Sequence, residues 1–165
     1  MPVEEGEVLV PYQEFTSATL FFYDGSVKIR QLDTESMRKY LDSEGKMLVA
    51  PVKLSLYDTL GRSGTRILAD SGRTNDSMEE FEVWGDVYVR TANGQIIQTQ
   101  RLSWNKSAQR VTSNAFVQIQ TPKGDVLRGK GLDAVEDFSS WSLRESVSGR
   151  FPEFRRRVEQ DDGFL

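Results

Sequence analysis

A chain of 165 residues with 38% hydrophobic and 28% charged residues suits one globular domain, with enough apolar side chains for one core and not for two. It holds no His and no Cys, which excludes a Ser-His-Asp triad, a Cys-His pair, a soft zinc site and any disulfide. The formal net charge of -4 gives no general attraction to nucleic acid, which is not expected as a partner.

The chain opens "MPVEEGEVLVPYQEF", acidic where a secretory leader is basic and then apolar. No apolar run approaches the roughly 20 residues that cross a bilayer. Residues 1–17 are expected to be an extension that follows a signal or anchor ahead of Pro2. From Ala18 onward, apolar and polar residues alternate with period two in short runs, the signature of strands with one buried face. The clearest are "VKLSLYD" (Val52, Leu54 and Leu56 against Lys53, Ser55 and Tyr57), "DVYVR" (Val87 and Val89 against Tyr88 and Arg90) and "FVQIQ" (Val117 and Ile119 against Phe116, Gln118 and Gln120).

Turns separate the runs at "YDGS" (Tyr23 to Ser26), "ANGQ" (Ala92 to Gln95) and "PKGD" (Pro122 to Asp125). Asn93-Gly94 predicts a tight type I′ hairpin, because both residues tolerate positive φ. Helical signals are scarce. "TESMRKYL" reads equally as a helical turn or a strand, and "FPEFRRRVEQ" as a short C-terminal helix with Pro152 in its first turn. The expected fold is all-β and antiparallel.

One stretch, "GDVLRGKG" from Gly124 to Gly131, falls one residue short of the phosphate-binding pattern G-x-x-x-x-G-K-[ST]; Gly131 stands where the magnesium-binding hydroxyl belongs. No parallel strand-to-helix scaffold surrounds it. It reads as a hairpin turn and its returning strand.

The order of pieces then carries a resemblance. Ala69, Asp70 and Gly72 form an "A-D-x-G" strand end, and Trp84 to Val89 a "W-G-D-V-x-V" strand. Thr99 to Asn105 read "T-x-x-L-x-W-N", Val111 to Ser113 "V-T-S", and Gly129 to Ala134 "G-x-G-L-x-A". This succession, over about Leu20 to Phe151, resembles the LptC family of lipopolysaccharide-export proteins and its relatives with the organic-solvent-tolerance domain. The resemblance implies an open, twisted β-jelly roll over residues 18–151, followed by a tail, 152–165, that has no counterpart in the family pattern. It implies a periplasmic protein tethered to the inner membrane by a segment absent here. It further implies receipt of lipopolysaccharide from an inner-membrane ABC transporter complex, transfer along an apolar trough, and edge-strand pairing with a periplasmic LptA-like bridge protein. It implies no catalysis, cofactor or metal.

A long acyl chain needs a sheath, since each methylene exposed to water costs about 0.8 kcal/mol. Strand parity lines the candidate lipid-binding trough with Leu54, Leu56, Val87, Val89, Leu102, Trp104, Val117, Ile119, Trp141 and Leu143. Gly129 and Gly131, expected on one face, mark a bulge or a close approach at it. The same apolar residues equally describe the core of a closed sandwich. Candidate free edges are Thr19 to Tyr23 and Trp141 to Phe151, on which another sheet can grow. Arg155, Arg156 and Arg157 read as a solvated helix face ahead of a lipid-phosphate contact.

Three alternatives stand beside lipid carriage. Glu79, Glu80 and Glu82, or Asp133, Glu136 and Asp137, offer carboxylates for glycoside hydrolysis, but both groups lie beside turns and serve solubility more simply. A closed carbohydrate- or lipid-binding β-sandwich would use Trp84, Trp104 and Trp141 as exposed stacking platforms. A structural bridge working by edge-strand pairing alone would have an interior filled by large side chains.

Overall fold

Alternation with period two forces one face of each run inward, and the shared inward faces collect the runs into a sheet. The computed structural model describes residues 11–41, 45–75 and 77–146. Eleven strands follow in chain order: β1 Pro11–Asp24, β2 Val27–Tyr40, β3 Met47–Ala50, β4 Val52–Tyr57, β5 Ser63–Ala69, β6 Ser71–Thr74, β7 Glu80–Arg90, β8 Ile96–Asn105, β9 Arg110–Gln120, β10 Val126–Val135 and β11 Trp141–Ser146. No helix occurs among the described residues. The fold is all-β, as expected, and "TESMRKYL" lies in β2. The expected C-terminal helix and Arg155 to Arg157 lie outside the described residues.

All strands join one antiparallel sheet, ordered β11-β10-β9-β8-β7-β5-β4-β2-β3-β6, with β1 paired to β2 and β6 also paired to β7. β1 begins at Pro11 and pairs with β2 along its length, so the sheet reaches ahead of the boundary expected at residue 18.

The sheet folds over along a line of irregularities that passes from strand to strand. β2 pairs with β4 through Arg30 to Asp33, then with β3 through Ser36 to Lys39. β7 pairs with β6 before a register shift between Trp84 and Val87, and with β5 after it. The shift recurs between Thr99 and Ser103 in the β8–β9 ladder and between Lys130 and Leu132 in the β9–β10 ladder. Bulges bend strands and raise their twist, so a row of them turns a flat sheet into a roll, with the inward faces meeting in one core.

Freed backbone groups along this line find side-chain partners. Thr34 Oγ1 accepts from the amides of Ala50 at 3.1 Å and Ser36 at 3.4 Å. Thr99 Oγ1 donates to the Phe116 carbonyl at 2.8 Å, and Ser113 Oγ accepts from the Ala115 amide at 3.1 Å. These three buried hydroxyls are thus structural. The family-like pieces of the sequence, Asp70, Gly85-Asp86, Thr99, Ser113 and Gly131, all fall on this line.

The hairpin at Asn93-Gly94 differs from the type I′ expectation. Thr91 O accepts from Gly94 N at 3.0 Å and Thr91 N donates to Gln95 O at 2.9 Å. Gly94 has φ 92°, and Asn93 is not among the residues with positive φ. That is a three-residue loop ending in a glycine bulge. Thr121 to Asp125 repeats it, with Gly124 N to Thr121 O at 2.9 Å and Thr121 N to Asp125 O at 2.8 Å. "GDVLRGKG" is therefore turn and strand, and Lys130 lies 5.6 Å over the Phe116 ring.

Candidate functional site

The residues expected to line a trough do meet. Leu54, Val87, Val89, Leu102, Trp104, Val117 and Ile119 are buried in one apolar cluster, with Leu56, Trp141 and Leu143 half-buried against it. Their inward parity follows from the alternation of β4, β7, β8 and β9. The interior they enclose is filled. An apolar slot of about 20 Å³, lined among others by Leu54, Leu56, Leu102, Trp104 and Phe138, opens within it. Such a volume takes one water-sized group and no acyl chain, so a chain enters only by displacing side chains.

Gly129 and Gly131 do not share a face, contrary to the parity read from sequence. Gly131, at φ 81°, sits in the β10 bulge, and the bulge reverses the alternation. A Cβ on Gly129 would run into the Glu145 carbonyl and lie 2.9 Å from Leu143 Cδ1; one on Gly131 would lie 2.6 Å from the exposed Arg144 guanidinium. Gly129 therefore faces the core side, and Gly131 serves the bend. Tyr88, expected outward, is 8% exposed. It packs with Leu68 and Ile96 in a small cluster of its own, because β5, β7 and β8 bring these side chains together on the sheet's outer face.

At one end of the core the chemistry changes. Arg30, inward in β2 beside Leu32, is only 7% exposed. Its guanidinium lies 4.9 Å over the Trp104 ring and 5.6 Å from the Phe22 ring, a cation–π sandwich that fixes its position. Arg30 Nη1 is fully buried and has no hydrogen-bond partner among the described residues. Burial lowers the Arg30 pKa from its ordinary value, and the charges of Glu136 and Glu79 oppose that shift. Glu136 itself accepts from the Trp104 indole Nε1.

Arg30 lines an open cleft of about 650 Å³, together with Ile29, Leu56, Tyr57, Trp104 and Glu136 among others. Leu56, Trp104 and Glu136 border both this cleft and the apolar slot. The cleft is the slot's mouth. Sequence reading missed Arg30 because the two apolar members of "KIRQL", Ile29 and Leu32, have opposite parity, and only the pairing of Leu32 with Leu54 shows which parity faces in. Phe138, also missed, is buried from a turn, where alternation carries no information.

The other candidate chemistry is tied up. Glu82 is paired with Arg73 and Arg101, and Asp133 with Arg110, while Glu79 accepts from the Ser107 hydroxyl and Glu136 from the Trp104 indole. The tryptophans form no common platform. Trp104 is buried, Trp141 is half-buried against the core, and Trp84 lies 5.3 Å beneath the Arg101 guanidinium. Both expected edges exist, since β1 pairs only with β2 and β11 only with β10 among the described residues; the part of the second edge beyond Ser146 lies outside them.

No curated protein matches the chain. Residues 14–151 match the family model for lipopolysaccharide-assembly, LptC-related proteins, a family of envelope transport components and not of enzymes, which begins earlier in the chain than the resemblance at Leu20 and takes in most of β1. On that match the chain belongs to the LptC-related family of lipopolysaccharide-assembly proteins.

Proposed function

We propose that the chain is a lipid-carrying bridge of the periplasm. In this reading it accepts lipopolysaccharide from an inner-membrane ABC transporter complex, at which it is tethered, and passes it toward the outer membrane. The acyl chains travel in the apolar interior, entering at the mouth beside Leu56 and Trp104. The single observation that carries the reading is that the apolar set expected from parity gathers in one cluster that reaches an open cleft. Because the slot is narrow, the interior stays closed when empty and opens as each methylene entering it contributes about 0.8 kcal/mol. The free edges β1 and β11 supply unpaired amides and carbonyls for strand addition, one of them to an LptA-like bridge protein.

A photocrosslinker placed singly at Leu56, Val89, Val117 or Leu143, in vesicles containing lipopolysaccharide and the transporter, is expected to label lipid. Outward controls at Gln118 and Gln120 are expected to stay unlabelled, whereas Tyr88 is unsuitable as a control because it is buried. Equal labelling inside and outside would contradict the reading. The filled interior favours a second reading, a structural bridge that works by edge pairing alone; labelling nowhere, with partner docking retained, would support it.

A further inference from the structure

Two buried side-chain polar atoms have no hydrogen-bond partner among the described residues, Arg30 Nη1 and Gln95 Oε1. A buried, unpaired donor on a charged group is costly, and a native structure that keeps one invites an account of what completes it. Apolar contacts alone would be served better by Met or Leu at this position. Arg30 is the member of the pair that stands at a boundary between a cleft and an apolar slot.

We propose that Arg30 is the polar anchor of an acyl-chain site, donating from Nη1 to the carbonyl oxygen of an ester or amide at the head of the chain. This inference rests on the lipid-carrying reading and names the chemistry at its mouth. Three observations fit together. Arg30 is 7% exposed, its Nη1 is fully buried, and its guanidinium packs against the Phe22 and Trp104 rings, so the donor's direction is set before a ligand arrives. Leu56 and Trp104 border both the cleft and the slot, so a chain whose head meets Arg30 lies with its methylenes against apolar side chains. The cleft also carries Asp24, Asp58, Glu136 and Asp137 against Arg30 and Lys106. That surplus of carboxylates opposes a phosphate or a free carboxylate and leaves a neutral carbonyl as the acceptor that fits.

The test uses three soluble twelve-carbon amphiphiles, each below its micelle concentration. Sucrose monododecanoate has an ester carbonyl, dodecyl maltoside has an ether in its place, and dodecanoate is the free anion. The wild-type chain is expected to bind the ester about tenfold more tightly than the ether, the worth of one hydrogen bond to a charged donor, and to bind the anion no better than the ester. Arg30→Met is expected to erase the ester preference, with ether affinity and thermal midpoint kept. In the wild-type protein the Arg30 guanidinium nitrogen resonances are expected to move on addition of the ester and not of the ether, a readout that needs no variant.

Equal affinity for ester and ether, or a preference that survives Arg30→Met, overturns the anchor and leaves lipid carriage standing. Tightest binding of dodecanoate, lost in Arg30→Met, overturns the neutral acceptor in favour of an anion. Binding of none of the three overturns the anchor and the lipid-carrying reading together.

Discussion

The bend and the mouth both hold buried polar side chains, and they are built on opposite terms. Along the bend, Thr34, Thr99 and Ser113 each have a backbone partner, and those bonds replace ladder bonds that the bulges break. At the mouth, Arg30 has aromatic neighbours and an Nη1 with no hydrogen-bond partner among the described residues. Satisfied groups are the signature of architecture, and an unsatisfied one marks where the folded chain alone does not complete its own bonding. The bend closes its own hydrogen bonds, and the mouth is where the chemistry is open.

Substitutions separate the two. Gly131→Val forces a β-branched residue to φ 81° in a bulge already covered by Arg144. It is expected to cost about 3 kcal/mol, read as a lower midpoint in urea unfolding. Thr99→Val keeps the shape but strands the Phe116 carbonyl, for about 2 kcal/mol; a loss within error would show that the bend does not depend on its hydroxyls. Arg30→Met removes a buried charge and keeps a side chain between Phe22 and Trp104, so the midpoint is expected to hold or rise. A clear loss of stability there would make Arg30 one more structural residue and erase the contrast.

The smallest effect is expected from pH. Asp58 has its pKa lowered, chiefly by the hydrogen bond from the Arg62 backbone, and it accepts from that amide at 2.9 Å. A depressed carboxylate contributes stability that is present above its unfolded pKa and is lost as pH falls through the folded one. Protection of the amides from Asp58 to Arg62, read relative to their intrinsic exchange rates, should therefore fall in acid. Asp58→Asn should flatten that response.

Much of this was legible in the sequence, for a physical reason. Alternation directly encodes which side chains face in, so Leu54, Val89, Val117 and Ile119 were placed correctly from their runs alone. The encoding fails wherever a strand is irregular. Equal parity puts Gly129 and Gly131 on one face in the sequence, and the bulge between Lys130 and Leu132 shifts that parity by one residue. Tyr88 was assigned to solvent because its cover comes from Leu68 on a strand that only the tertiary fold brings beside it. Arg30 escaped notice because a single charged residue in a strand reads as outward until its partner strand is known. The Asn93-Gly94 turn type was missed because Thr91, whose Oγ1 accepts from the Gln95 amide at 3.0 Å, favours a longer loop than the dipeptide suggests.

The central claim, that acyl chains occupy the interior beside the mouth, is tested most directly by quenching of tryptophan fluorescence with a lipid carrying a nitroxide on its acyl chain. Two single-tryptophan proteins are compared, one keeping Trp104 with Trp84→Phe and Trp141→Phe, the other keeping Trp84 with Trp104→Phe and Trp141→Phe. Trp104, buried at the slot, is expected to be quenched strongly and saturably, and Trp84, under Arg101 on the outer face, weakly. Equal quenching of both, or quenching of Trp84 alone, would contradict the account and place the lipid outside the roll.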